Sequence, residues 1–599
     1  MSLLDEASLI VTPNGYKGGS PNGKLYSVKP TNGDGDMVVT RGSSATRVNS
    51  AGFIEIARTN LVLQSQTLEN ASWTPTNVTV TANTTSAPDG TTTADTITGI
   101  GVLGVRLIQS NSISFTASTS YSLSVFAKKG TNDFIQLFVP LLIGGMHANF
   151  NINTGVVGTL GTVTGTAPTS SITNFGNGWY RCTINFTATT TISTVTSISI
   201  VTSASAIRSE QNTLTTSLIL WGAQLEASNI AVATEYIPTV ASIRTKFAGI
   251  TQDGGFGSNI PRIDYPPLGG CPSILVEPER TNQFFYSEQF DNGYWEIINS
   301  TITANDTVAP DGTMTADKFI PNTANSTHQI RKIALTSNAY TFSVFAKAGG
   351  ETIFSMWLLG ASVRAEFNLS NGTIIINTTT SAKIENYGNG WYRCSVYSST
   401  PGTTFQIYGR NGGVYEGNNV DGIFFWGAQA EVGANATSYI PTVASTLTRT
   451  ADVITKTGIS SLIGQTEGTI FWDIKDLIGT TNTGNPDFGI KNTAATHWIS
   501  LTTSGVSLPF RITVTSAAGT LLTYSVNITS AKACVKYGTF GAKLFLNGNP
   551  TPVATTAVNP NISFDNILFS GARISYKTNS FALWTTALTD EQCISLTTE

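Results

Sequence analysis

Charged side chains are scarce in this sequence of 599 residues. Asp, Glu, Lys and Arg together make up 12%, about half of the ~25% that is typical of soluble domains. This composition disfavours a helical enzyme, because helices are rich in Glu, Lys and Ala. The 33 basic and 37 acidic residues give a net charge of −4, and no basic cluster is dense enough to neutralise phosphates. Nucleic acid is therefore not an expected partner.

Long hydrophobic runs are also missing. The most apolar stretch, residues 134–146, is interrupted by Gln136, Pro140 and a Gly pair, and it is shorter than the ~20 residues that cross a bilayer. The N-terminus has neither the basic region nor the apolar region of a secretion signal. We therefore expect no membrane insertion, and synthesis in a cytoplasm without a cleaved signal peptide.

Cysteine is sparse as well. The five cysteines show no C-x-x-C spacing, so the sequence indicates neither a disulfide framework nor a zinc site. We expect buried free thiols that pack as small apolar side chains. They are Cys182, Cys271, Cys394, Cys534 and Cys593.

What the sequence does contain is an internal duplication. Six blocks recur in the same order: Arg-Thr-Asn at 58–60 and 280–282, Ala-Pro-Asp-Gly-Thr at 87–91 and 309–313, Ser-Val-Phe-Ala-Lys at 124–128 and 343–347, Gly-Asn-Gly-Trp-Tyr-Arg-Cys at 176–182 and 388–394, Trp-Gly-Ala-Gln at 221–224 and 426–429, and Tyr-Ile-Pro-Thr-Val-Ala-Ser at 236–242 and 439–445. The offset falls from 222 (58 to 280) to 203 (236 to 439), which places the lost residues in loops. The chain therefore carries two copies of one domain.

Within each copy the sequence pattern has a period of two. Polar and apolar residues alternate, as at 121–127 and 340–346. Helical periodicity is nearly absent. Asp-Gly and Asn-Gly pairs, which favour hairpin turns, occur at 89–90, 177–178, 371–372, 389–390 and 421–422. The pattern predicts an all-β fold class of antiparallel β-sandwiches or jelly rolls.

A third unit begins near residue 461, where the repeated blocks stop. Residues 468–475 predict a strand, and 542–546 followed by Asn547-Gly548 predict a hairpin with a type I′ turn. Thr589 and Gln592 form the pattern of a capping box that opens a short terminal helix. Leu-Asn-Gly at 546–548 and Ala-Leu-Thr-Asp-Glu at 587–591 resemble the laminin-G and concanavalin-A-like jelly rolls, so we expect that fold here.

The six blocks, taken in order, resemble carbohydrate-binding-module-like sandwiches of bacteriophage structural proteins. The opening segment resembles the N-terminal part of phage tail or capsid-attached proteins. The resemblance implies tandem sandwich domains followed by a concanavalin-like jelly roll. The expected boundaries are an N-terminal virion-docking segment at 1–50, sandwich repeat 1 at 51–250, a linker plus sandwich repeat 2 at 251–457, and the jelly roll at 458–599.

This resemblance also implies a function. The expected protein is a structural virion component of a tailed bacteriophage, a fibre or spike that attaches to host-surface glycans or decorates the particle. The implied partners are other virion proteins, bound through the N-terminal segment, and further copies of the chain in a homotrimer; the implied location is the virion. Two alternatives stay open: a polysaccharide depolymerase tailspike, and a purely structural collar or baseplate component without receptor binding.

No pattern for catalysis is recognisable, so we expect no enzyme and no cofactor. The histidines lie outside metal-binding motifs and do not match between the copies; they are His147, His328 and His497. A glycosidase needs two neighbouring carboxylates, and the clustered acids are Glu277, Glu279, Glu288 and Asp291. Since Glu55 and Glu277 stand at matched positions, structural salt bridges to Arg58 and Arg280 are the favoured interpretation.

Two aspartates recur in each copy at a spacing of six: Asp89 and Asp95, then Asp311 and Asp317. Hard oxygen ligands around a Gly turn could hold Ca²⁺, which makes these four residues weak metal candidates. An Asx-turn plus one strand-end carboxylate is the favoured alternative, because no third acidic residue stands nearby.

Six of the ten tryptophans match between the copies: Trp73 and Trp295, Trp179 and Trp391, Trp221 and Trp426. An exposed Trp would stack against a sugar, but a core position is favoured for these. At 179–182 the alternation places Trp and Arg on one face, with the guanidinium over the indole, and Tyr and Cys on an inward face. The glycan-contacting residues are not identified; we expect them in loops where the copies differ, such as 134–147 and 408–417.

Overall fold

The computed structural model describes residues 3–13, 24–56, 58–117, 119–140, 146–161, 168–228, 233, 236–247, 250–253, 261–333, 335–359, 363–479, 486–502, 510–560 and 563–598. The predicted all-β fold class is confirmed: these residues form antiparallel sheets, with α-helices at Leu3–Glu6 and Asp590–Thr598 and a 3-10 turn at Ser460–Leu462. Among the described residues, no helix is long and apolar enough to cross a membrane.

The chain divides into two compact units. One unit comprises residues 57–257 and contains the first copy of the repeat, called sandwich 1 below. The other comprises residues 1–56 and 258–599. It contains the second copy, called sandwich 2, together with the C-terminal jelly roll.

Sandwich 1 consists of two six-stranded sheets with an apolar core between them. In spatial order, one sheet is Val156–Leu160, His147–Asn151, Phe134–Phe138, Ser197–Ile200, Leu107–Ser110 and Trp73–Thr76; the other is Thr169–Gly176, Trp179–Thr187, Ser120–Lys129, Ser217–Ser228, Ala94–Gly99 and Val78–Thr85. Smaller sheets join Gly104–Val105 to Gln211–Asn212, Ile113–Phe115 to Ile192–Thr194, and Arg58–Asn60 to Arg244–Phe247 and Ile250–Asp253.

Sandwich 2 repeats this strand order. One sheet is Thr373–Asn377, Val363–Asn368, Ile353–Leu359, Thr404–Gly409, Gln329–Lys332 and Glu296–Ile298; the other is Ser381–Gly388, Trp391–Tyr397, Tyr340–Gly349, Gly422–Val432, Ala316–Pro321 and Ser300–Thr307. Arg280–Asn282 pairs with Leu447–Arg449. The duplication seen in the sequence is therefore a duplication of the fold.

The jelly roll consists of two eight-stranded sheets. One is Arg262–Asp264, Ser273–Val276, Ile574–Trp584, Gly468–Gly479, Ala531–Gly538, Gly541–Leu546 and Ala554–Thr556, with Leu9–Val11 also paired to Ile574–Trp584; the other is Lys24–Leu25, Met37–Thr40, Val453–Thr457, Asn566–Ser570, Phe488–Lys491, Trp498–Thr502, Phe510–Ser516 and Gly519–Val526. The remaining hairpin pairs Thr46–Val48 with Ile54–Ile56.

The structure places two of the expected boundaries differently. Residues 1–50 are not a separate segment, because three of their strands belong to the jelly-roll sheets and Leu9 and Val11 are fully buried there. The linker before sandwich 2 contributes Arg262–Asp264 and Ser273–Val276 to the same unit. These strands form hydrogen bonds with backbone N–H and C=O groups that would otherwise be unpaired at the edge of a sheet. A docking role for residues 1–50 stays a prediction.

The turn and cap patterns are confirmed in part. Asn177-Gly178, Asn389-Gly390 and Asn547-Gly548 have positive φ at both residues, as type I′ turns require. Asp89-Gly90 and Asn371-Gly372 also connect paired antiparallel strands, as predicted, but with positive φ at Gly alone. Asp421-Gly422 is not a hairpin turn, because Gly422 begins a strand. The capping box is present: Thr589 N donates to Gln592 Oε1 at 2.8 Å, and Gln592 N donates to Thr589 Oγ1 at 3.2 Å.

Four of the five cysteines are buried free thiols, as expected, but Cys271 is exposed. It follows Gly269 and Gly270, which both have positive φ, in the turn between two jelly-roll strands. A side chain in such a turn projects away from the sheets, so the local backbone outweighs the preference of cysteine for burial.

The repeated blocks hold each sandwich together through buried amides. Asn282 is fully buried; its Nδ2 donates to the carbonyl oxygens of Ala428 and Ile440 at 3.1 and 2.9 Å. Its Oδ1 accepts from the backbone N–H groups of Phe284 and Ala430 at 3.1 and 3.0 Å. Asn60 of sandwich 1 makes the matching four bonds with Ala223, Ile237, Val62 and Leu225. The Arg-Thr-Asn block is therefore explained by the fold.

Candidate functional site

The six matched tryptophans are structural, which confirms the favoured interpretation. Each is at most 3% exposed, and each indole N–H donates to an oxygen of its own sandwich. Trp179 donates to Ser86 O at 3.1 Å, and its counterpart Trp391 donates to Val308 O at 3.0 Å. None of the six therefore offers a ring face to a sugar.

The arginines two residues after Trp179 and Trp391 correct one expectation. Arg181 lies over the ring of Phe126 at 5.2 Å, and Arg393 over Phe345 at 5.3 Å, rather than over the neighbouring indole. Cys182 packs in the main core, so the Cys side of the strand does point inward. The Trp side is buried too, because Phe126, Trp179 and Trp221 form a second apolar cluster on the outer side of that sheet.

The four aspartates bond to the chain itself. Asp311 Oδ1 accepts from Thr313 N and Oγ1 at 3.0 and 2.7 Å, and Asp89 does the same with Thr91. Asp317 accepts from the backbone N–H groups of Phe290 and Asn305 at 2.7 and 2.9 Å, and Asp95 from those of Leu68 and Asn83. In the described part of the chain, no three His, Cys, Asp or Glu side chains lie close enough to hold a metal ion.

Glu55 and Glu277 do form salt bridges, but with other arginines than expected. Glu55 pairs with Arg47 at 2.5 Å. Within the second unit, Glu277 pairs with Arg262 at 2.6 Å and with Arg449 at 3.1 Å. Arg280 instead donates to the carbonyl oxygen of Glu279. An arginine that is distant in sequence can pair with a carboxylate in place of the arginine that follows it closely. Sequence spacing alone does not show which arginine does so.

A different surface has the features of a binding site: the outer side of the sheet of sandwich 2 that contains Ile353–Leu359. Phe354, Met356 and Leu358 point into the core, so Ser355 and Trp357 point outward. Cross-strand pairing brings six further outward side chains beside them. We call this set the Trp357 face: Gln329, Arg331, Ser355, Trp357, Arg364, Glu366, Gln406 and Tyr408.

Two half-buried aromatic rings lie at the centre of the Trp357 face. The ring centroids of Trp357 and Tyr408 are 5.2 Å apart, at an interplanar angle of 56°. The guanidinium of Arg364 lies 4.7 Å from the Trp357 ring centroid. The indole N–H donates to Ser355 Oγ at 2.8 Å, which fixes the ring orientation. The two rings form a rigid apolar surface, and the guanidinium beside them supplies hydrogen-bond donors.

Polar groups surround these rings. Gln406 Nε2 donates to Gln329 Oε1 at 2.8 Å, and Tyr408 donates to Gln406 Oε1 at 3.1 Å. Glu366 is only 6% exposed, and its Oε2 is buried without a hydrogen-bond partner among the described residues. A buried carboxylate oxygen requires a donor. The face therefore combines aromatic surface with an acceptor that an incoming hydroxyl group would satisfy.

A cleft of about 210 Å³ lies elsewhere in the second unit, where the jelly roll adjoins sandwich 2. Lys577, Asp264 and Asp476 line it; Lys577 Nζ lies 3.1 Å from Asp264 Oδ2 and 3.4 Å from Asp476 Oδ2. Burial lowers the pKa of Lys577, but the two aspartates outweigh burial and raise it. Because these charges neutralise one another, the cleft gives weaker evidence of a ligand than Glu366 does.

Sequence reasoning located only part of this face. Of the two loops expected to contact glycans, 408–417 contributes Tyr408, whereas Phe134–Phe138 is a strand and residues 141–145 lie outside the described residues. The other residues of the face were missed, and the central one is Trp357. Its signal was available, because Trp357 is the one tryptophan of the two sandwiches without a counterpart in the other copy.

Comparisons with known proteins give weak likenesses. No family model matches the chain, and no curated protein matches it. Among solved structures, the chain is similar to the N-terminal CBM22-1–CBM22-2 tandem domain of Xyn10C from Paenibacillus barcinonensis, with a TM-score of 0.21, 11% identity, and coverage of 62% of this chain and 98% of that one. It is also similar to a GH78 family rhamnosidase of Bacillus sp. GL1, with a TM-score of 0.09, 9% identity, and coverage of 86% and 55%. Likeness at this level identifies neither a ligand nor an activity.

Proposed function

We propose that this chain is a glycan-binding protein and that its ligand binds to the Trp357 face of sandwich 2. The observation that carries the proposal is the buried Oε2 of Glu366, which has no hydrogen-bond partner in the described part of the chain, beside two half-buried aromatic rings. A sugar presents C–H groups that pack on aromatic rings and hydroxyl groups that donate to a carboxylate. The same ligand would therefore satisfy both features at once.

The face favours binding over bond cleavage. Glu366 is the one carboxylate of the Trp357 face, and Glu296, next to Arg331 at the edge of the sheet, pairs with that arginine. Among the described residues, Glu296 is therefore not free to act with Glu366 as the pair of carboxylates that a glycosidase needs. We propose that the protein binds polysaccharide without hydrolysing it. Incubation with the bound polysaccharide should release no reducing sugar; release that is lost in Glu366→Gln would instead support the depolymerase alternative.

The binding proposal is tested with the full chain on an array of microbial and plant oligosaccharides, followed by calorimetry with the oligosaccharide that gives the strongest signal. Trp357→Ala should weaken binding at least tenfold, because a central aromatic contact contributes about 1.4 kcal/mol or more. Glu366→Gln should weaken binding about tenfold, since an amide nitrogen replaces one acceptor oxygen. Both variants should unfold at nearly the wild-type temperature.

Phe540→Ala is the matched control, because Phe540 is an exposed aromatic residue of the jelly roll. It should bind the oligosaccharide as the wild type does. If Phe540→Ala weakens binding as much as Trp357→Ala does, the ligand is not on sandwich 2. If no oligosaccharide on the array binds the wild type, the glycan-binding proposal fails.

We further propose that the protein serves host attachment or particle decoration as a fibre or spike of a tailed bacteriophage. The order of the repeated sequence blocks supports this proposal, and so does the combination of a sugar-binding surface with two additional β-modules in one chain. Several copies in a homotrimer would multiply a modest affinity. Antibody against the chain should label a fibre or spike on phage particles; label confined to the collar or baseplate, without glycan binding, would favour the scaffold alternative.

A further inference from the structure

Sandwich 1 contains a sheet equivalent to the one that carries the Trp357 face. A segment of sandwich 1 itself covers the outer side of this sheet. The connection that follows strand Ser197–Ile200 folds across the outer side of this sheet. Gln136 Nε2 donates to the carbonyl oxygen of Ile207 at 3.0 Å, and Gln136 Oε1 accepts from Ser209 N at 2.9 Å. Asn149 Nδ2 donates to the carbonyl oxygen of Ala206 at 2.7 Å. The polar side chains of this face therefore have partners from the segment 202–212.

The covered side chains occupy the positions of the Trp357 face. Gln136 and Phe138 correspond to Ser355 and Trp357, with the same offset of 219 as the Ser-Val-Phe-Ala-Lys block (128 to 347). Asn149 pairs across the sheet with Gln136 just as Glu366 pairs with Ser355. In each face the central side chain, Phe138 or Trp357, is thus aromatic. A polar side chain, Asn149 or Glu366, lies diagonally from it on the neighbouring strand.

The aromatic position of sandwich 1 is covered as well. The guanidinium of Arg208 lies 5.2 Å from the ring centroid of Phe138, and Phe138 is 2% exposed. Thr202 N and Oγ1 donate to the carboxylate of Glu210 at 2.8 and 2.7 Å, which ties the two ends of the segment together. Backbone carbonyl groups of the segment 202–212 thus bond to the amides of Gln136 and Asn149, and the guanidinium of Arg208 lies over the ring of Phe138.

The corresponding connection of sandwich 2, residues 410–421, takes another course. Tyr415 exchanges backbone hydrogen bonds with Ser326, and its carbonyl oxygen lies 2.9 Å from His328 Nε2. Gly417 N donates to the carbonyl oxygen of Asn322. Within the described residues, no hydrogen bond of this connection reaches Ser355, Glu366 or Gln406. Gly412 of the connection lies against the edge of the Trp357 ring. The hydrogen bonds of this connection therefore lie at the end of the sandwich, and Trp357 and Tyr408 remain half-buried, whereas Phe138 of sandwich 1 is 2% exposed.

We propose that sandwich 1 contains a second glycan-binding face that its own segment 202–212 occupies, so that each chain has one open site and one closed site. The inference rests on the proposed function of the Trp357 face. Backbone carbonyl and N–H groups offer the same acceptors and donors as sugar hydroxyl groups. Since the amides of Gln136 and Asn149 both donate and accept, the closed face would take a hydroxyl-rich glycan once the segment is removed.

Binding stoichiometry tests this inference, with the full chain and the oligosaccharide that binds it most strongly on the array. Calorimetry at concentrations that just saturate the wild type should give one site per chain for the wild type and no detectable site for Trp357→Ala, whose binding is at least tenfold weaker. The opened variant replaces residues 203–209 by three glycines, which span the gap because Thr202 and Glu210 are in contact. It should bind two oligosaccharides per chain, and one when combined with Trp357→Ala.

The outcomes separate the two proposals. If the wild type binds no oligosaccharide, the proposed function fails. If the wild type binds two per chain, or if a folded opened variant still binds one, only the closed site is wrong. Should the opened variant fail to fold, Arg208→Ala decides, because it removes the guanidinium over Phe138 without shortening the segment. It should exchange the N–H of Ser209 for deuterium several-fold faster than the wild type and gain weak binding in the Trp357→Ala background; unchanged exchange and binding would overturn the inference.

Discussion

At the residue scale, uncharged amides and hydroxyls satisfy the buried backbone of both sandwiches. Asn60 and Asn282 each make four buried hydrogen bonds, and Gln224 and Gln429 each accept from a backbone N–H at 2.6 Å. An unpaired backbone group in the core costs free energy, and a buried charge costs more than an amide. The low content of charged residues is thus consistent with how these sheets are held together.

Asn282→Ala should lower the free energy of unfolding of the second unit by about 3 kcal/mol, because it leaves two carbonyls and two N–H groups unpaired in the core. Thermal unfolding measures the change. Asn371→Ala is the control, since Asn371 is exposed and its side chain accepts a hydrogen bond from Thr373 Oγ1 at the surface; it should unfold like the wild type. Equal effects of the two substitutions would contradict the role of Asn282.

Asp95 and Asp317 should make stability fall as the pH rises from about 4 to 6. Burial raises the pKa of each carboxyl group to about 6 in the folded state, above the value of about 3.9 expected when unfolded. The folded state therefore holds the proton more tightly, and this advantage is lost as the pH rises through the folded pKa.

The double variant D95N/D317N tests this dependence, because it removes both titrating groups. Its melting temperature, measured from pH 4 to 7, should lie furthest below that of the wild type at pH 4 and approach it toward pH 7. A difference between the two proteins that is the same at every pH would show that these carboxyl groups titrate normally.

At the scale of elements, tight hairpins set the strand register, whereas longer connections decide which surface is open. Asn389-Gly390 closes the hairpin of Ser381–Gly388 and Trp391–Tyr397 with positive φ at both residues. The connections 201–216 and 410–421 join equivalent strands but bond to different parts of their sandwiches. Divergence of the copies in these connections changes the surface without changing the sheets.

Gly390→Ala should destabilise sandwich 2 by about 1 kcal/mol. Gly390 has φ +80°, which is strained for a residue with a Cβ atom. The added Cβ would meet only the flexible side chain of Lys347 at 3.5 Å, so backbone strain is the main cost. Gly293→Ala is the matched control, with no positive φ and no atom within 4 Å. A melting temperature that falls equally in both variants would refute the explanation.

At the scale of the whole molecule, the second unit is held together by a buried cluster of charges from segments distant in sequence. Arg41 pairs with Asp452 at 2.8 Å, and Arg262 bridges Asp452 and Glu277. Arg449 completes the cluster through Glu277. The cluster joins the N-terminal segment, the linker, the end of sandwich 2 and the start of the jelly roll. It explains why residues 1–56 belong to the same unit as 258–599.

Asp452→Asn should destabilise the second unit by about 3–5 kcal/mol, because it removes the acidic partner of buried Arg41 and leaves Glu277 to balance both Arg262 and Arg449. Burial raises the pKa of Asp452, but Arg262 and Arg41 outweigh burial and hold the pKa below its usual value. The stability that Asp452 contributes is therefore present above pH 4 and is lost on further acidification. Melting temperatures between pH 2 and 7 measure both effects.

Glu296→Gln is the control for Asp452→Asn, because Glu296 forms an exposed pair with Arg331. Exposed pairs contribute little to stability, so this variant should follow the wild type through the whole pH range. If Asp452→Asn also follows the wild type, the cluster does not stabilise the unit.

The sequence by itself determined the duplicated all-β sandwiches, the type I′ turns, the capping box and the framework role of the matched tryptophans. These features depend on the alternation of polar and apolar residues and on turn residues, which act locally. They also depend on repetition, because each repeated block occurs in both copies of the domain. Only the tertiary structure decided that N-terminal strands complete the jelly roll, which arginines neutralise Glu277, and that Trp357 lies on an open face while Phe138 is covered. Those outcomes depend on where distant segments meet, and hydrophobic patterning constrains that placement only weakly.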